Sequence, residues 1–490
     1  MADKSDALLK LARAAFADLS EAEKKVVAAA ADGQMADLSS SDAAKNDPEK
    51  ADAWGNERTV RAAVIRWLCT DGQARPLIDP QGVQAQGIKV TDELDLSFTS
   101  VPFPLVLFRS AMPEDINFRG AEIRAVYLNG SASGPIGADG LTVHGNLFLR
   151  DGFHAKGAVR LLGAKIGGNL DCSGGTFENA GKDEKEKKFA LSADGAEVRG
   201  AIFLREGFHA KGAVRLLGAK IGGVLDCSGG TFENEGKDAL SADGAEVHGG
   251  LFLRQSFRAQ GVVRLPMARA GVLIDDKESW PAQGCLDLEG FVYDNLIGPD
   301  DARSRLEWIE RQYPKDKKEW KGKFRPQPYE QLAAVLRRMG HESDAKKVLI
   351  AKHRSSRKFG RLGRTMRLAN WLFDWTMGYG YRLRRLLYAT VFIVFLGYGL
   401  FWWGWQNDLM RQVKDTATCS DALCGCFNAG VYSLDAFLPI VNLHQEEYWL
   451  PAAIGGFGNF LCYYLWFHIM MGWVITTLLI AGLTGLARRD

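Results

Sequence analysis

The chain has 490 residues and nearly balanced charge, 61 Lys plus Arg against 59 Asp plus Glu, for a net of +2. That balance excludes a chain that is basic throughout, as nucleic-acid packing requires, and a strongly acidic solvating one; 47% hydrophobic and 24% charged residues exclude wholesale disorder. Glycine is the outlier at 54 residues against an ordinary share of about 7%, and with only 15 prolines and no collagen period the excess points to many backbone turns in ordered structure.

The opening MADKSDALLKLARAAF scatters its charges and holds no apolar run of signal-peptide length, so whatever precedes the first membrane span is expected to stay in the cytoplasm. Leu8, Leu11, Ala12 and Ala15 share a helical face, which predicts an amphipathic helix over about residues 6–31. Residues 32–52, rich in Ala, Ser and Asp, read as a linker. Asn56 is a candidate cap for a helix over Asn56–Cys69, in which Val60, Val64, Trp67 and Leu68 form one stripe. The chain therefore opens with an N-terminal helix and linker (1–55) and a helical cap (56–82).

The centre is a repeat. GFHAKGAVRLLGAKIGG stands at Gly152–Gly168 and again, identically, at Gly207–Gly223, 55 residues on; a degraded copy, SFRAQGVVRL, starts at Ser256, 49 residues further. The difference of six is the charged tract Glu184–Phe189, which reads as a surface loop because its flanks are undisturbed. Within each copy a glycine precedes an alternating aliphatic pattern, as in Gly212-Ala-Val214-Arg-Leu216 and Gly223-Val-Leu225-Asp-Cys227. Aliphatic positions 11 or 12 residues apart leave no room for a helical crossover, so the strands must stack as coils of a parallel β-solenoid, two coils per repeat. Weaker strands around Leu94, Ile116, Val126 and Leu286 extend it over residues 83–297.

The repeat also disposes of tempting catalytic residues. His154 and His209 are equivalent to Arg258, and His144 and His248 to Arg199; a position that accepts His or Arg is polar and outward, not a general base. Cys172 and Cys227 share the apolar phase and read as buried ladder residues. Arg150, Arg205 and Arg254 form a column, as do Arg160, Arg215 and Arg264, and Lys156 stacks with Lys211. Such columns suit an anionic partner, but residues 141–265 hold 17 basic against 15 acidic residues, which favours a solvated mixed face.

A basic helical neck follows (298–385). Pro326–Met339 and a second helix capped by Ser343 look like one tetratricopeptide unit, too little for a helical solenoid and better suited to capping the β-solenoid. Residues 337–385 carry 14 basic against three acidic residues. Immediately ahead of a membrane span, Lys352, Arg354, Arg357, Lys358, Arg361, Arg364, Arg367, Arg382, Arg384 and Arg385 fit anionic lipid headgroups better than nucleic acid.

Leu386–Trp405 is 20 residues without a charge, and Phe460–Leu486 is a second span. Trp402, Trp403 and Trp405 with Tyr463, Tyr464 and Trp466 make interfacial belts on one side; Arg488 and Arg489 join Arg382, Arg384 and Arg385 on the other. Both termini are thus expected inside, with an extracytoplasmic loop at 406–459 that carries Arg411 and Lys414 against six acidic residues. Within the hairpin (386–490), Gly397-Tyr398-Gly399 matches a potassium-filter tripeptide but sits mid-span, where close helix packing is the better reading. His468 is an intramembrane polar group, a functional hypothesis by default and otherwise a helix–helix hydrogen bond. Phe427, Val431, Leu434 and Leu438 have helical spacing and Pro439 ends the run, so a short helix is expected to dip between the spans; Asn442, His444, Gln445, Glu446 and Glu447 after it are the candidate pore or loop residues. Cys419, Cys424 and Cys426 lie on the oxidising face, where a disulfide from Cys419 to one of the other two is expected; zinc on these thiols and His444 matches no standard spacing, and no metal or cofactor is expected.

Asn56–Cys69 (NERTVRAAVIRWLC), Glu93–Ser97 (ELDLS), IGGNLDCSGG, IGGVLDCSGG, Gln327–Leu336 (QPYEQLAAVL) and Tyr432–Trp449 (YSLDAFLPIVNLHQEEYW) resemble a group of bacterial, membrane-anchored β-solenoid proteins, often labelled pentapeptide-repeat proteins or membrane-associated oxidoreductases. The resemblance implies a bacterial cytoplasmic (inner) membrane and supplies no catalytic residues. The residues themselves offer no GxGxxG between strand and helix, no phosphate loop, no Cys-x-x-Cys and no haem motif, so an oxidoreductase ranks a distant third. The fold expected is mainly β: a cytoplasmic parallel β-solenoid capped by helices, then the basic neck and a two-helix transmembrane hairpin. Two functions lead: a membrane-anchored scaffold or sensor that offers the solenoid to a cytoplasmic protein partner, and a homo-oligomeric pore-loop channel gated by the solenoid.

Overall fold

The computed structural model describes residues 2–179, 189–320, 322–379, 381, 384–413 and 426–483. It divides into two compact units, Met1–Val348 and Leu349–Asp490.

The first unit opens with two helices where the periodicity suggests one: α1 (Ala2–Ala15) and α2 (Glu21–Asp32). The break is a capping box. The Ser20 hydroxyl accepts from Glu23 N at 3.1 Å while the Glu23 carboxylate accepts from Ser20 N at 2.9 Å. The expected linker joins the solenoid, since Ala36–Asp37 pairs in parallel with Val83–Gln86. Asn56 caps no α-helix: Asn56–Arg58 is a 3₁₀ turn, Thr59–Arg61 is a strand on Lys89–Thr91, and α3 (Ala62–Thr70) starts six residues later than Asn56. Val60 is fully buried, and an inward strand position satisfies it as well as a helical stripe would.

From 83 to 297 the chain is a parallel β-solenoid; with Ala36–Asp37 and Thr59–Arg61 its strands stack in two sheets of 15 and 16 strands. One interior ladder counts the coils: Leu94, Ile116, Ile136, Val159, Leu191, Val214, Leu240, Val263 and Leu286 pair in succession, nine rungs in all. Val159 reaches Val214 in two pairing steps, so a sequence repeat is two coils. A five-ring aromatic stack explains why two. Phe153, Phe177, Phe208, Phe232 and Phe257 are all buried, with successive centroids 5.3–5.6 Å apart. Yet the backbone supplies them alternately: Phe153, Phe208 and Phe257 precede an outward residue and an alanine, whereas Gly175-Thr-Phe177 and Gly230-Thr-Phe232 put the ring two residues later. In the latter coils the ring folds back over the glycine, whose absent Cβ would stand 2.9–3.0 Å from it. Each coil thus delivers one phenyl ring to the same corner.

Four residues past each ladder rung the chain turns through the left-handed region. Gly120, Gly140, Gly163, Gly195, Gly218, Gly244 and Gly290 occupy that corner with φ of +60° to +76°, but Phe98 and Met267 do so as non-glycine residues at +54° and +57°. Met267 is 69% exposed and gains little packing for its strain. Met267→Gly is therefore expected to stabilise the solenoid by about 1 kcal/mol, read as a rise in unfolding midpoint.

Residues 184–188 of the charged tract lie outside the described residues. Its base is closed as in the shorter copy: Asn179 donates to the Phe189 carbonyl at 2.8 Å, and Asn234 to that of Asp238 at 2.7 Å. Cys172 and Cys227 are fully buried, and burial pushes both thiols well above their usual range. At the far end α4 (Ala302–Glu310) inserts Arg305, fully buried, against the Asp275 carboxylate, which also accepts from Trp280 Nε1 at 2.9 Å. Helix α5 (Gln327–Arg338) lies on the last coil: the Gln327 amide donates to the Phe291 carbonyl and accepts from Gly290 N, and Gln331 donates to the Tyr293 carbonyl.

The second unit contains the end of α6 (Glu342–Phe359), then α7 (Arg364–Met377), α8 (Arg384–Gln406), α9 (Ala429–Phe437) and α10 (Gly455–Leu483). An antiparallel ribbon joins Met410–Gln412 to Trp449–Pro451. Two helices, Arg384–Gln406 and Gly455–Ala481, are long and apolar enough to cross a membrane.

Candidate functional site: the helical hairpin and its inserted helix

Helix α9 packs against both α8 and α10, and missing side chains make the seat. A Cβ on Gly472 would collide with the Phe437 carbonyl oxygen, and one on Gly397 with the Ser433 hydroxyl and the His468 ring. The first glycine of the filter-like tripeptide, Gly397, is therefore a packing residue, whereas the second, Gly399, faces open space. Gly472→Val is expected to lever α9 off α10 at a cost of about 1–3 kcal/mol, seen as faster hydrogen exchange over Ala429–Phe437.

His468, fully buried, ties the three helices together. Its Nε2 lies 2.9 Å from the Ser433 carbonyl, which can only accept, so Nε2 carries a proton, and Nδ1 lies 3.2 Å from Tyr464 Oη. The Ser433 hydroxyl donates to the Val394 carbonyl of α8 at 2.8 Å. His468 thus acts as a helix–helix hydrogen-bonding group, and Tyr464 points inward with it instead of joining the interfacial belt.

The inward face of α9 is not the apolar stripe of the sequence. Tyr432, Ser433, Asp435, Ala436 and Phe437 are buried, whereas Leu434 is exposed. Asn428 caps the helix, its side chain accepting from Gly430 N and Val431 N at 3.0 and 3.1 Å. Asp435, unforeseen in the sequence, organises the segment after it: its carboxylate accepts from the backbone N–H of Leu443, Gln445 and Glu446 at 2.5, 2.7 and 2.9 Å. A lone acid in an apolar helix must find such donors, and that requirement was the available signal.

Four of the five candidate pore residues are exposed and Gln445 is buried. Gln445 bridges the loop by accepting from Asn428 N at 3.1 Å and donating to the Cys426 carbonyl at 3.2 Å. Asn442 donates to Glu447 at 2.9 Å, and the His444 ring stands 3.5 Å from the same carboxylate. Partial desolvation, followed by the nearby Asp435 and Glu447 carboxylates, raises the Glu446 carboxyl above its usual value. Cys426 is disulfide-bonded; Cys419 and Cys424 lie outside the described residues.

The ten basic residues of the neck divide into groups. Arg354 and Arg357 both clasp Asp374, at 2.9 and 3.1 Å, Arg385 donates to the Asp374 carbonyl at 3.1 Å, and Lys352 is buried. Burial would raise the Asp374 carboxyl, but hydrogen bonds and charge from Arg354 and Arg357 prevail and hold it below its usual value. Arg361 and Arg364 are exposed, Arg367 is half-buried, and Arg382 lies outside the described residues.

On the solenoid, the column arginines other than Arg254 are matched by acids of neighbouring coils. Arg150 meets Asp171 at 3.0 Å and Arg205 meets Asp226 at 3.2 Å, each guanidinium also lying over the phenylalanine two residues before it. Arg160, Arg215 and Arg264 pair with Asp139, Asp194 and Asp243 at 2.6–3.0 Å. His154 meets Glu49 and His209 meets Glu233, at 2.9 and 3.2 Å. Among the described residues no group of three or more His, Cys, Asp or Glu side chains is placed to hold a metal ion. Comparison with known proteins finds no matching family model, no matching curated protein and no matching solved structure.

Proposed function

We propose that this protein is a membrane-anchored scaffold or sensor: α8 and α10 hold it in a bilayer, and the solenoid offers a rigid polar surface to a protein partner. The observation that carries this reading is the inverted surface of the second unit. Phe392, Phe395, Trp466 and Trp473 face outward while Ser433, Asp435 and His468 are sealed inside. Such a surface is costly in water, at about 25 cal/mol per Å² of apolar area, and favourable in lipid.

Arg382, Arg384 and Arg385 precede one span, Arg488 and Arg489 follow the other, and the loop between them is acidic, which supports cytoplasmic termini. Cysteine chemistry supports the same orientation, with Cys426 in a disulfide and Cys69, Cys172, Cys227 and Cys285 free. A bacterial inner membrane, which separates a reducing from an oxidising side, fits both. In intact spheroplasts an impermeant phosphine followed by an impermeant maleimide is expected to label the loop cysteines and to spare Cys285 until a denaturing detergent is added. The reverse pattern overturns the topology, and release of the chain by alkaline carbonate overturns the anchor.

A specific arrangement favours a channel as the second reading: α9 is lodged between the spans and the exposed run of Asn442, His444, Glu446 and Glu447 follows it. Purified oligomers that conduct in planar bilayers, and lose cation selectivity with Glu446→Gln and Glu447→Gln, would establish it. Silent bilayers that hold verified oligomers leave the scaffold.

A further inference from the structure

We propose that α7 is an interfacial helix that lies along the surface of an anionic leaflet, with Leu368, Trp371, Leu372 and Trp375 sunk to the headgroup–acyl boundary. The proposal rests on the reading of α8 as a membrane span and adds a second, in-plane attachment beside it.

The rotation of α7 about its own axis is fixed by polar contacts on one side. Asp374, buried, receives Arg354 at 2.9 Å and Arg357 at 3.1 Å, both from α6. One turn earlier, Asn370 accepts from the Tyr379 hydroxyl through its side chain and from Arg357 through its carbonyl. Arg385, at the start of α8, reaches the Asp374 carbonyl. A helix held by that face must turn the opposite stripe outward, and the stripe is apolar: Leu368, Trp371, Leu372 and Trp375 are all exposed, Trp375 by 68%. The Trp371 and Trp375 rings are nearly parallel, 10° apart with centroids 6.5 Å from each other, and lie side by side on that stripe.

Three observations name the occupant of that surface as lipid. First, α7 ends at Met377 and α8 starts at Arg384, so a short connection and the Arg385 contact tie the helix to the end of a span. Second, the residue types suit the depth, since tryptophan prefers the boundary where its ring is apolar and its N–H is wet. Third, the charge is complementary. Asp374 takes up Arg354 and Arg357, but Arg361, just ahead of the helix, and Arg364 and Arg367 in its first turn make no ion pair among the described residues. Apolar stripe and unpaired cations together form the pattern of a helix that binds anionic membrane surfaces in plane.

The test uses the full chain reconstituted in vesicles that contain phosphatidylglycerol. A photo-crosslinking residue, p-benzoylphenylalanine, replaces Trp371, Trp375 or, within the span, Phe392. Lipid adducts are expected at all three positions. Those at 371 and 375 should fall several-fold when phosphatidylcholine replaces phosphatidylglycerol, or when Arg361, Arg364 and Arg367 become glutamine. Adducts at 392 with none at 371 and 375 overturn the in-plane helix and leave the span. Protein crosslinks at 371 and 375 in place of lipid adducts also overturn it, and a dimer-sized product names a second copy as the occupant. Adducts at 371 and 375 that ignore both changes overturn the anionic preference, and their absence at all three positions removes the span and this proposal together.

Discussion

Replacing Arg305 with methionine is expected to destabilise the solenoid by about 3–5 kcal/mol, because it strands a carboxylate inside an apolar column. Leu149, Cys172, Leu204, Cys227 and Leu253 fill successive coils at one interior position, two residues beyond the paired Leu147, Leu170, Ile202, Leu225 and Leu251. The next residue in that column is Asp275, which pairs with Leu253 in register. It is 5% exposed and Arg305 is 0% exposed, so neither charge has water to fall back on. Both Asp275 oxygens accept from the Arg305 guanidinium, and Trp280 adds a third donor. This arrangement ends the apolar ladder and fixes α4 across it. Removing one partner leaves the other charge unpaired at full desolvation cost, whereas removing both strands only the neutral Trp280 N–H, a smaller penalty. Urea unfolding of the detergent-solubilised chain should therefore show Arg305→Met much weaker than wild type, and Arg305→Met with Asp275→Leu recovering most of the loss, short of wild type by the unpaired Trp280 N–H. A double variant as weak as the single one would mean that the pair, and not the desolvated charge, supplies the stability.

The same position marks how far the sequence could be read. The solenoid was legible because two copies of seventeen residues are identical and the aliphatic residues alternate at strand period around Val214 and Leu225. What failed were elements whose residues satisfy two periods at once or whose meaning depends on register. Val60 suits a helical stripe and an inward strand position equally, so the strand Thr59–Arg61 was read as helix. Asp275 is an ordinary acid until pairing puts it in line with Cys227 and Leu253. In the hairpin two long apolar helices were legible from length and composition, but which face of α9 is buried was not. Helical spacing marks Phe427, Val431, Leu434 and Leu438 as one stripe without saying what covers it, whereas the buried face carries Ser433 and Asp435 beside Tyr432, Ala436 and Phe437. The basic run drew attention to ten cations, whereas the acid Asp374 decides which of them are spent within the protein.

Phe208→Ala should cost the solenoid about 3–5 kcal/mol, since it opens a cavity at the middle of the aromatic stack, with Phe177 and Phe232 each 5.3 Å away by centroid. The cost comes from lost contacts on both faces of the missing ring and from neighbours held too rigidly by the strand ladders to collapse inward. The alternation of backbone positions makes a sharper demand. In the Gly175-Thr-Phe177 and Gly230-Thr-Phe232 coils the ring reaches the same corner from two residues further along, over a glycine that leaves room for it. If the corner and not the backbone position is what the core requires, Phe208→Gly with Ala210→Phe rebuilds that arrangement in the coil that normally has the other one. The double variant is expected to recover most of the stability that Phe208→Ala loses, and to restore hydrogen-exchange protection of the neighbouring strands. A double variant no more stable than Phe208→Ala would show that each coil is committed to its own register, and that the two-coil period of the sequence arises from something other than filling one corner with one ring.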